Sequence, residues 1–183
     1  MTGMGTTTGL MSFAEFERLP DDEQGYTLEL LDRELIRMPP PKLPHTKIER
    51  RLHNLLTVTL ARLQDQGQAS DLGVVYTEAG YHLRDSYLIP DVSVTHAAQT
   101  EGDYLEGAPA IAIEVISESN RVETMQRKIV RYFEHGAREV WVFHPTIRLV
   151  TVHYGERSIE VRDTLTTALF PGLAINLAEI FAA

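Results

Sequence analysis

The stretch Ala110-Ile111-Ala112-Ile113-Glu114-Val115-Ile116 is apolar at every position except Glu114. Side chains in a strand alternate between the two faces of its sheet, so a run that is apolar on both faces predicts a strand covered on both sides. We therefore predict a central strand at residues 109–116. The same alternation places Glu114 on the face opposite Ile113 and Val115, beside alanines that leave room around its carboxylate.

Segments with helical and strand patterns lie on both sides of this strand. Apolar residues at helical spacing predict a long helix at residues 46–66 and another at 120–135, the second started by an Asn120–Glu123 capping box. Short helices are predicted at 12–19, where Ser12 and Glu15 match a capping box, and within the apolar end 170–181. The other predicted strands are 26–31, 34–38, 74–84, 87–95, 138–143, 147–154 and 158–162. This order predicts an α/β domain in which a mixed β-sheet is flanked by helices.

Length and composition limit the classes of protein that fit. A chain of 183 residues suits one domain, which we place at residues 12–183 after a flexible tail at 1–11. The absence of cysteine excludes disulfides, thiolate metal sites and a cysteine nucleophile. No apolar run approaches the roughly 18 residues of a membrane helix, and the N-terminus lacks a signal-peptide pattern. We expect a soluble, cytoplasmic protein that has no membrane partner.

Charge is unevenly distributed along the chain. The formal net charge of −9 argues against a broad basic surface for nucleic acid but leaves room for a local basic cleft. Residues 42–62 carry five Lys or Arg and one acid, and residues 121–138 carry five and two, whereas residues 15–34 carry eight acids and two arginines. The two basic segments either contact phosphates near a site or are ordinary solvated helix faces.

Three acids occupy positions that apolar strands disfavour. Glu29 lies in a predicted strand, Asp91 follows Pro90 at the start of another, and Glu114 lies in the central one. A buried carboxylate needs a cation, a metal or solvent, so each acid taken alone is either exposed or ion-paired. Taken together, oxygen ligands of this kind favour Mg²⁺ or Mn²⁺ over zinc.

Lys128 is the candidate cation for such a site. On the predicted helix it lies at the flank of the apolar stripe formed by Met125, Ile129 and Tyr132. Two interpretations stay open: Lys128 reaches toward the end of the strand that carries Glu114, or it is a surface lysine whose stem packs on the helix. A role as general base requires a strongly lowered pKa.

Other catalytic patterns receive less support. The histidines show neither H-x-H nor H-E-x-x-H spacing, which argues against a zinc site built from histidine. His45 either approaches the acids or is an exposed loop residue. No G-x-S-x-G is present, so an esterase triad lacks support, and a glycosidase pair lacks the aromatic platforms that bind sugars.

The order of the motifs resembles the PD-(D/E)XK nuclease superfamily and, more closely, the Uma2 (DUF820) family of restriction-endonuclease-like proteins. The matching stretches span the chain from Ser12 onward: they are Tyr26 to Asp32, Met38 to Pro41 with His45, Ile89 to Val92, Glu114 to Ser117, Lys128 with Tyr132, Gly136 to Val142, and Phe170 to Leu173. Two positions depart from the pattern. Ile116 stands where the superfamily lysine usually lies, which points to Lys128 as its replacement, and Arg33 stands where family hairpins commonly carry Gly.

The resemblance implies a restriction-endonuclease-like fold whose central mixed sheet holds a metal site. Asp91 and Glu114 would be the principal metal ligands together with the Val115 carbonyl, Glu29 a further ligand or water-holding group, and Lys128 the catalytic cation. We expect a metal-dependent endonuclease that uses Mg²⁺ or Mn²⁺ to hydrolyse phosphodiester bonds of nucleic acid, with DNA as the favoured substrate. The alternative is an inactive nucleic-acid-binding or protein-interaction module on the same fold. The apolar late strands and C-terminal segment also suggest a homodimer.

Overall fold

The structure, a computed structural model of the chain, describes residues 9–20, 22–117 and 121–182. Its helices are α1 (Phe13–Phe16), α2 (Leu43–Asp65), α3 (Val122–Glu134) and α4 (Leu177–Ile180). Its strands are β1 (Thr27–Leu31), β2 (Glu34–Met38), β3 (Leu72–Thr77), β4 (Tyr81–Leu83), β5 (Ser86–Leu88), β6 (Val92–His96), β7 (Thr100–Glu101), β8 (Leu105–Glu106), β9 (Ile111–Val115), β10 (Glu139–His144), β11 (Leu149–Tyr154), β12 (Arg157–Val161), β13 (Thr164–Leu165) and β14 (Ile175–Asn176).

The described strands form two six-stranded mixed sheets and one two-stranded ladder. The first sheet has the order β2-β1-β5-β4-β8-β7 and the second the order β12-β11-β10-β9-β6-β3. Each contains a parallel pair, β4 with β8 in the first sheet and β9 with β10 in the second, among antiparallel neighbours. The predicted α/β class with a mixed sheet flanked by helices is confirmed. The structure adds that the strands divide between two mixed sheets.

Strand β9 occupies the interior of the second sheet, as its sequence predicted. All five of its residues are buried, and it pairs with β10 on one side and β6 on the other. Ile113 and Val115 pack in the same core as α2, whereas Ala112 packs in the core that contains Met125 and Ile129 of α3. The two long helices therefore cover opposite faces of β9, and Glu114 lies on the face covered by α3.

The chain crosses between the two sheets at two short segments that the sequence analysis placed inside continuous strands. The predicted strand 74–84 breaks into β3 and β4 around Glu78, whose φ is +51°, and Gly80, where a Cβ would lie 1.8 Å from Tyr87 Oη. The predicted strand 87–95 breaks into β5 and β6 at Pro90, which has no N–H for a ladder. The second crossing sets the position of Asp91.

Helix boundaries also differ from the predicted ones. Helix α2 begins at Leu43 because proline fits the first turn of a helix, where the missing N–H has no intrahelical partner. Helix α1 ends at Phe16, earlier than predicted, although its Ser12–Glu15 capping box is present. Helix α3 begins at Val122 after the N-cap residue Arg121, and the predicted cap Asn120 lies outside the described residues. Most of the predicted tail, residues 1–8, also lies outside them.

The turn between β1 and β2 contains two residues in the left-handed region, Asp32 with φ +53° and Arg33 with φ +69°. Leu31 pairs with Glu34, so the hairpin has a two-residue turn of the kind that requires positive φ at both central positions. Glycine adopts this conformation without strain, which explains why family hairpins commonly carry it. The departure at Arg33 therefore affects the conformation of the turn only. Among the described residues, no helix is long and apolar enough to cross a membrane.

Candidate active site

A cavity of about 400 Å³ opens where the two sheets meet. Its wall is formed by residues of β1, the segment before α2, the first turn of α2, both crossings between sheets, the end of β9, and α3. These residues are Thr27, Glu29, Met38, Pro39, Pro40, Pro41, Lys42, His45, Glu78, Ile89, Asp91, Glu114, Val115, Ser117 and Lys128. The four predicted catalytic side chains thus line one cavity although they come from four separate segments of the chain.

The amine of Lys128 lies between two buried carboxylates. Its Nζ is 3.0 Å from Glu29 Oε1 and 2.7 Å from Glu114 Oε1, and the side chain is 3% exposed. The interpretation of Lys128 as a surface lysine is therefore wrong. Burial disfavours the charged amine, but the attraction of Glu114 and Glu29 outweighs burial and raises the pKa of Lys128. Lys128 remains a cation and is unsuited to act as a general base.

Glu29 enters the cavity from the first sheet. Its Oε1 atom accepts hydrogen bonds from Lys128 Nζ and, at 2.7 Å, from the backbone N–H of Ile89. Its Oε2 atom is buried and has no hydrogen-bond partner among the described residues. An unpartnered buried carboxylate oxygen is costly, so this atom is suited to a cation or a water in the cavity.

Glu114 extends from β9 toward α3, on the face opposite Ile113 and Val115 that strand alternation predicted. Its Oε1 atom accepts a hydrogen bond of 2.7 Å from Tyr132 Oη, which lies one helical turn after Lys128. Burial is the main cause that raises the pKa of Glu114 to about 7; Lys128 opposes this shift, and Asp91 and Glu29 add to it. Tyr132 is itself fully buried, so it holds the carboxylate in one orientation.

Asp91 is fixed by partners on two sides. Its Oδ2 atom accepts a hydrogen bond of 2.5 Å from the Val115 N–H, and its Oδ1 atom is 3.1 Å from His45 Nε2. The first contact joins the start of β6 to the end of β9, which brings Asp91 next to the strand that carries Glu114. Val115 itself also lines the cavity.

Helix α2 adds two residues that the sequence analysis gave little weight or missed. His45 is half-buried in the first turn of α2, so its interpretation as an exposed loop residue is wrong. Glu49 follows one turn later and is buried. Ligand atoms of His45, Glu49 and Asp91 all lie within 4.8 Å of one another. The available signal for Glu49 was an acid next to Ile48 within the apolar stripe of a helix, four residues after a histidine.

Electrostatics within this group favour a cation. Burial first, and then the charge of Asp91, raise the pKa of Glu49 to about 7. Burial lowers the pKa of His45, but its hydrogen bond and charge attraction to Asp91 outweigh burial and raise it. Carboxylates that repel one another, together with an imidazole, form a donor set that a divalent ion would stabilise. His45, Glu49 and Asp91 therefore fit a metal ion. Among the described residues, the predicted ligands Glu29 and Glu114 are not part of this group and instead contact Lys128.

The fold is of the α/β class, and its cavity contains a lysine buried between two carboxylates. The Uma2 family model, described as "Putative restriction endonuclease", matches residues 13–178, and the chain belongs to this family. No curated protein matches the chain. The chain is also similar to a solved structure from Anabaena variabilis ATCC 29413, described as "a putative nuclease belonging to DUF820". The two share 18% sequence identity over 94% of this chain and 98% of the other, with a TM-score of 0.79, which shows a common fold.

Proposed function

We propose that this protein is a metal-dependent endonuclease that hydrolyses phosphodiester bonds of DNA with Mg²⁺ or Mn²⁺. The observation that carries the proposal is the Lys128 amine, buried against Glu29 and Glu114 in a cavity that Asp91 and Val115 also line. Keeping a cation and several carboxylates out of water is costly, so such a cluster in a cavity marks a candidate catalytic centre. Membership of a family described as restriction endonucleases supports the same reaction class.

The metal ligands in this proposal are Asp91, Glu114 and the Val115 carbonyl, with Glu29 as a further ligand or water-holding group. His45 and Glu49 extend the donor set on the side of α2. A bound Mg²⁺ or Mn²⁺ supplies a Lewis acid that stabilises phosphate charge and makes a bound water more acidic.

The other side chains hold and balance charge. Lys128 stays protonated and lines the cavity, so it offers a fixed positive charge to a phosphate as negative charge develops on its oxygens. Tyr132 orients Glu114, and the Val115 N–H orients Asp91. Because these donors are set before substrate arrives, little reorganisation is needed during the reaction.

Nicking of supercoiled plasmid DNA in Mn²⁺ tests the proposal. Asp91→Asn and Glu114→Gln keep side-chain size and are expected to remove cleavage and, in calorimetric titration, Mn²⁺ binding. Asp71→Asn is the matched control, because Asp71 is an exposed acid that pairs with Arg138 outside the cavity. Cleavage that survives in both cavity variants would refute the proposal. Intact folding without cleavage or Mn²⁺ binding in the wild type would favour the inactive binding module.

The predicted homodimer, the cytoplasmic location and the domain boundaries at residues 12 and 183 stay predictions. Light scattering of the purified protein measures its mass in solution and so tests the dimer.

A further inference from the structure

We propose that duplex DNA is held outside the cavity by four cations, Lys47, Arg50, Arg148 and Arg162, which we call the basic rim. The inference rests on the proposed function and adds to it the surface that binds the substrate backbone. Lys47 and Arg50 lie on α2, Arg148 follows the 3₁₀ turn after β10, and Arg162 follows β12. Lys47 is half-buried, and the three arginines are exposed.

The cations of the basic rim have no acidic partner in the part of the chain that the structure describes. Among the residues that the structure describes, none of the four forms an ion pair, and Arg148 donates only one long hydrogen bond, 3.4 Å, to the Phe181 carbonyl. An exposed cation that is not paired within the protein retains its full charge for an external anion. The basic rim thus offers positive charge to a ligand on a chain whose net charge is −9.

The C-terminal turn joins the two halves of the basic rim. Arg51 of α2 donates hydrogen bonds of 2.9 and 2.5 Å to the carbonyls of Ile180 and Ala182, and Arg148 contacts the Phe181 carbonyl between them. Phe181, Arg148 and Arg162 line one cavity of about 440 Å³, which Asp163 also lines. Arg51 and Arg148 therefore bind the same turn, and Arg162 lines the cavity beside it. Lys47 lies one helical turn before Arg51, on the same side of α2.

The basic rim reaches the proposed catalytic cavity along one edge of the second sheet. Val115, at the end of β9, pairs with Phe143 of β10, and the residues next to Arg148 and Arg162 in β11 and β12 continue the same edge. Lys47 and Arg50 share two turns of α2 with His45 and Glu49 but lie on its outer side. A nucleic-acid strand whose scissile phosphate lies in the cavity would extend past this edge. Polyanionic duplex DNA, with one charge per about 1.7 Å of axis, is the ligand that spaced, unpaired cations recognise.

Fluorescence anisotropy with a short labelled DNA duplex, without divalent metal, tests the basic rim. We would measure the dissociation constant between about 50 and 200 mM salt for the wild type, for Lys47→Gln/Arg50→Gln and for Arg148→Gln/Arg162→Gln. Each double variant is expected to lower the slope of log K against log salt by about 1.8 and to weaken binding roughly tenfold or more at low salt.

The matched control is Arg33→Gln/Arg84→Gln, which removes two exposed arginines that also lack an ion pair among the described residues. It makes the same change in net charge but lies away from α2, at turns of the first sheet, and is expected to leave the slope unchanged. Equal slopes in all proteins, or an equal fall in the control, would overturn the basic rim. If the wild type cleaves plasmid and the rim variants bind DNA with the wild-type salt slope, the basic rim is wrong and the proposed function stands. If the wild type neither binds nor cleaves DNA, the proposed function and the basic rim both fail.

Discussion

Helices α2 and α3 carry similar numbers of cations but use them in opposite ways. On α3, each cation pairs with an acid: Arg127 with Asp32 and Glu34, Lys128 with Glu29 and Glu114, and Arg131 with Asp32 and Glu134. On α2, no lysine or arginine forms an ion pair with a described residue. Local charge counts along the sequence are alike for the two helices, so they do not show which charge is available to a ligand.

The difference follows from what each helix packs against. Helix α3 faces the β1–β2 hairpin, whose acids reach it from the first sheet, so its cations join the two sheets. Helix α2 packs an apolar stripe on the second sheet and turns its cations outward. The cations of α3 therefore hold the cavity together, and Lys128 also lines it, whereas the cations of α2 lie at the surface.

The largest effect is expected from removing the buried cation of α3. Lys128→Met keeps most of the side-chain volume but leaves Glu29 and Glu114 buried without a counter-charge. We expect the free energy of unfolding at pH 8 to fall by about 3–5 kcal/mol and plasmid nicking to be lost. Chemical denaturation followed by circular dichroism measures the first, and the nicking assay the second.

The loss in free energy of unfolding caused by Lys128→Met should become smaller as the pH is lowered, because a protonated Glu114 carries no charge for the amine to balance. Unchanged stability at pH 8 would contradict the description of α3 as the helix whose charge is used internally.

A smaller effect is expected from Tyr132→Phe, which removes one hydrogen bond to Glu114 and retains the ring. Groups that orient a metal ligand typically change metal affinity by about 10–100-fold, and we expect Mn²⁺ binding to weaken within that range. The free energy of unfolding should fall by about 1–2 kcal/mol. Calorimetric titration with Mn²⁺ separates the two roles, since a purely structural tyrosine would change stability and leave metal affinity intact.

On α2, Glu49→Gln is expected to stabilise the metal-free protein. The folded-state pKa of Glu49, about 7, lies above its ordinary value of 4.5, so the stability of the wild type falls as the pH rises through this window. The variant avoids that loss, and we expect it to be more stable by about 1–2 kcal/mol at pH 8 and equal below pH 4.5. Thermal unfolding at several pH values measures the difference.

The same variant should change how Mn²⁺ affinity depends on pH. In the wild type, binding strengthens as the pH rises through about 7, because Glu49 and His45 must lose protons to become ligands. Glu49→Gln is expected to weaken binding and flatten this dependence. If Mn²⁺ affinity depends on pH in the same way in both proteins, Glu49 is not a metal ligand.

The smallest effect is expected from Arg127→Gln, on the outer side of α3. Arg127 is partly exposed, and surface ion pairs contribute about 0–1 kcal/mol. We expect a loss of stability within that range and unchanged nicking. Comparison with Lys128→Met, one residue away, then isolates the effect of burial. A large loss of activity in Arg127→Gln would contradict the assignment of the catalytic cation to Lys128 alone.

Much of this architecture could be predicted from the sequence because local patterns dominate it. The apolar run around Glu114 predicted a central strand, and helical spacing of leucines predicted α2. The division into two sheets could not be predicted, since it depends on the bends around Glu78 and Pro90, where strand-forming residues continue on both sides. Short breaks of this kind are governed by tertiary packing, such as the contact of Gly80 with the Tyr87 ring.

The candidate site was only partly predictable for a related reason. Asp91, Glu114 and Glu29 stand out as acids in apolar strands, and the family resemblance directed attention to Lys128. Helix geometry alone left Lys128 open to a surface interpretation, because its burial depends on Glu29 arriving from another sheet. Glu49 was missed since one acid on a helix is usually solvated, and only its position opposite Asp91 shows otherwise.

One amine touches acids from both halves of the molecule, Glu29 in the first sheet and Glu114 in the second. If only one of the two sheets has folded, Lys128 cannot contact both Glu29 and Glu114, and the cavity lacks one of its walls. The centre therefore requires both sheets to be in place.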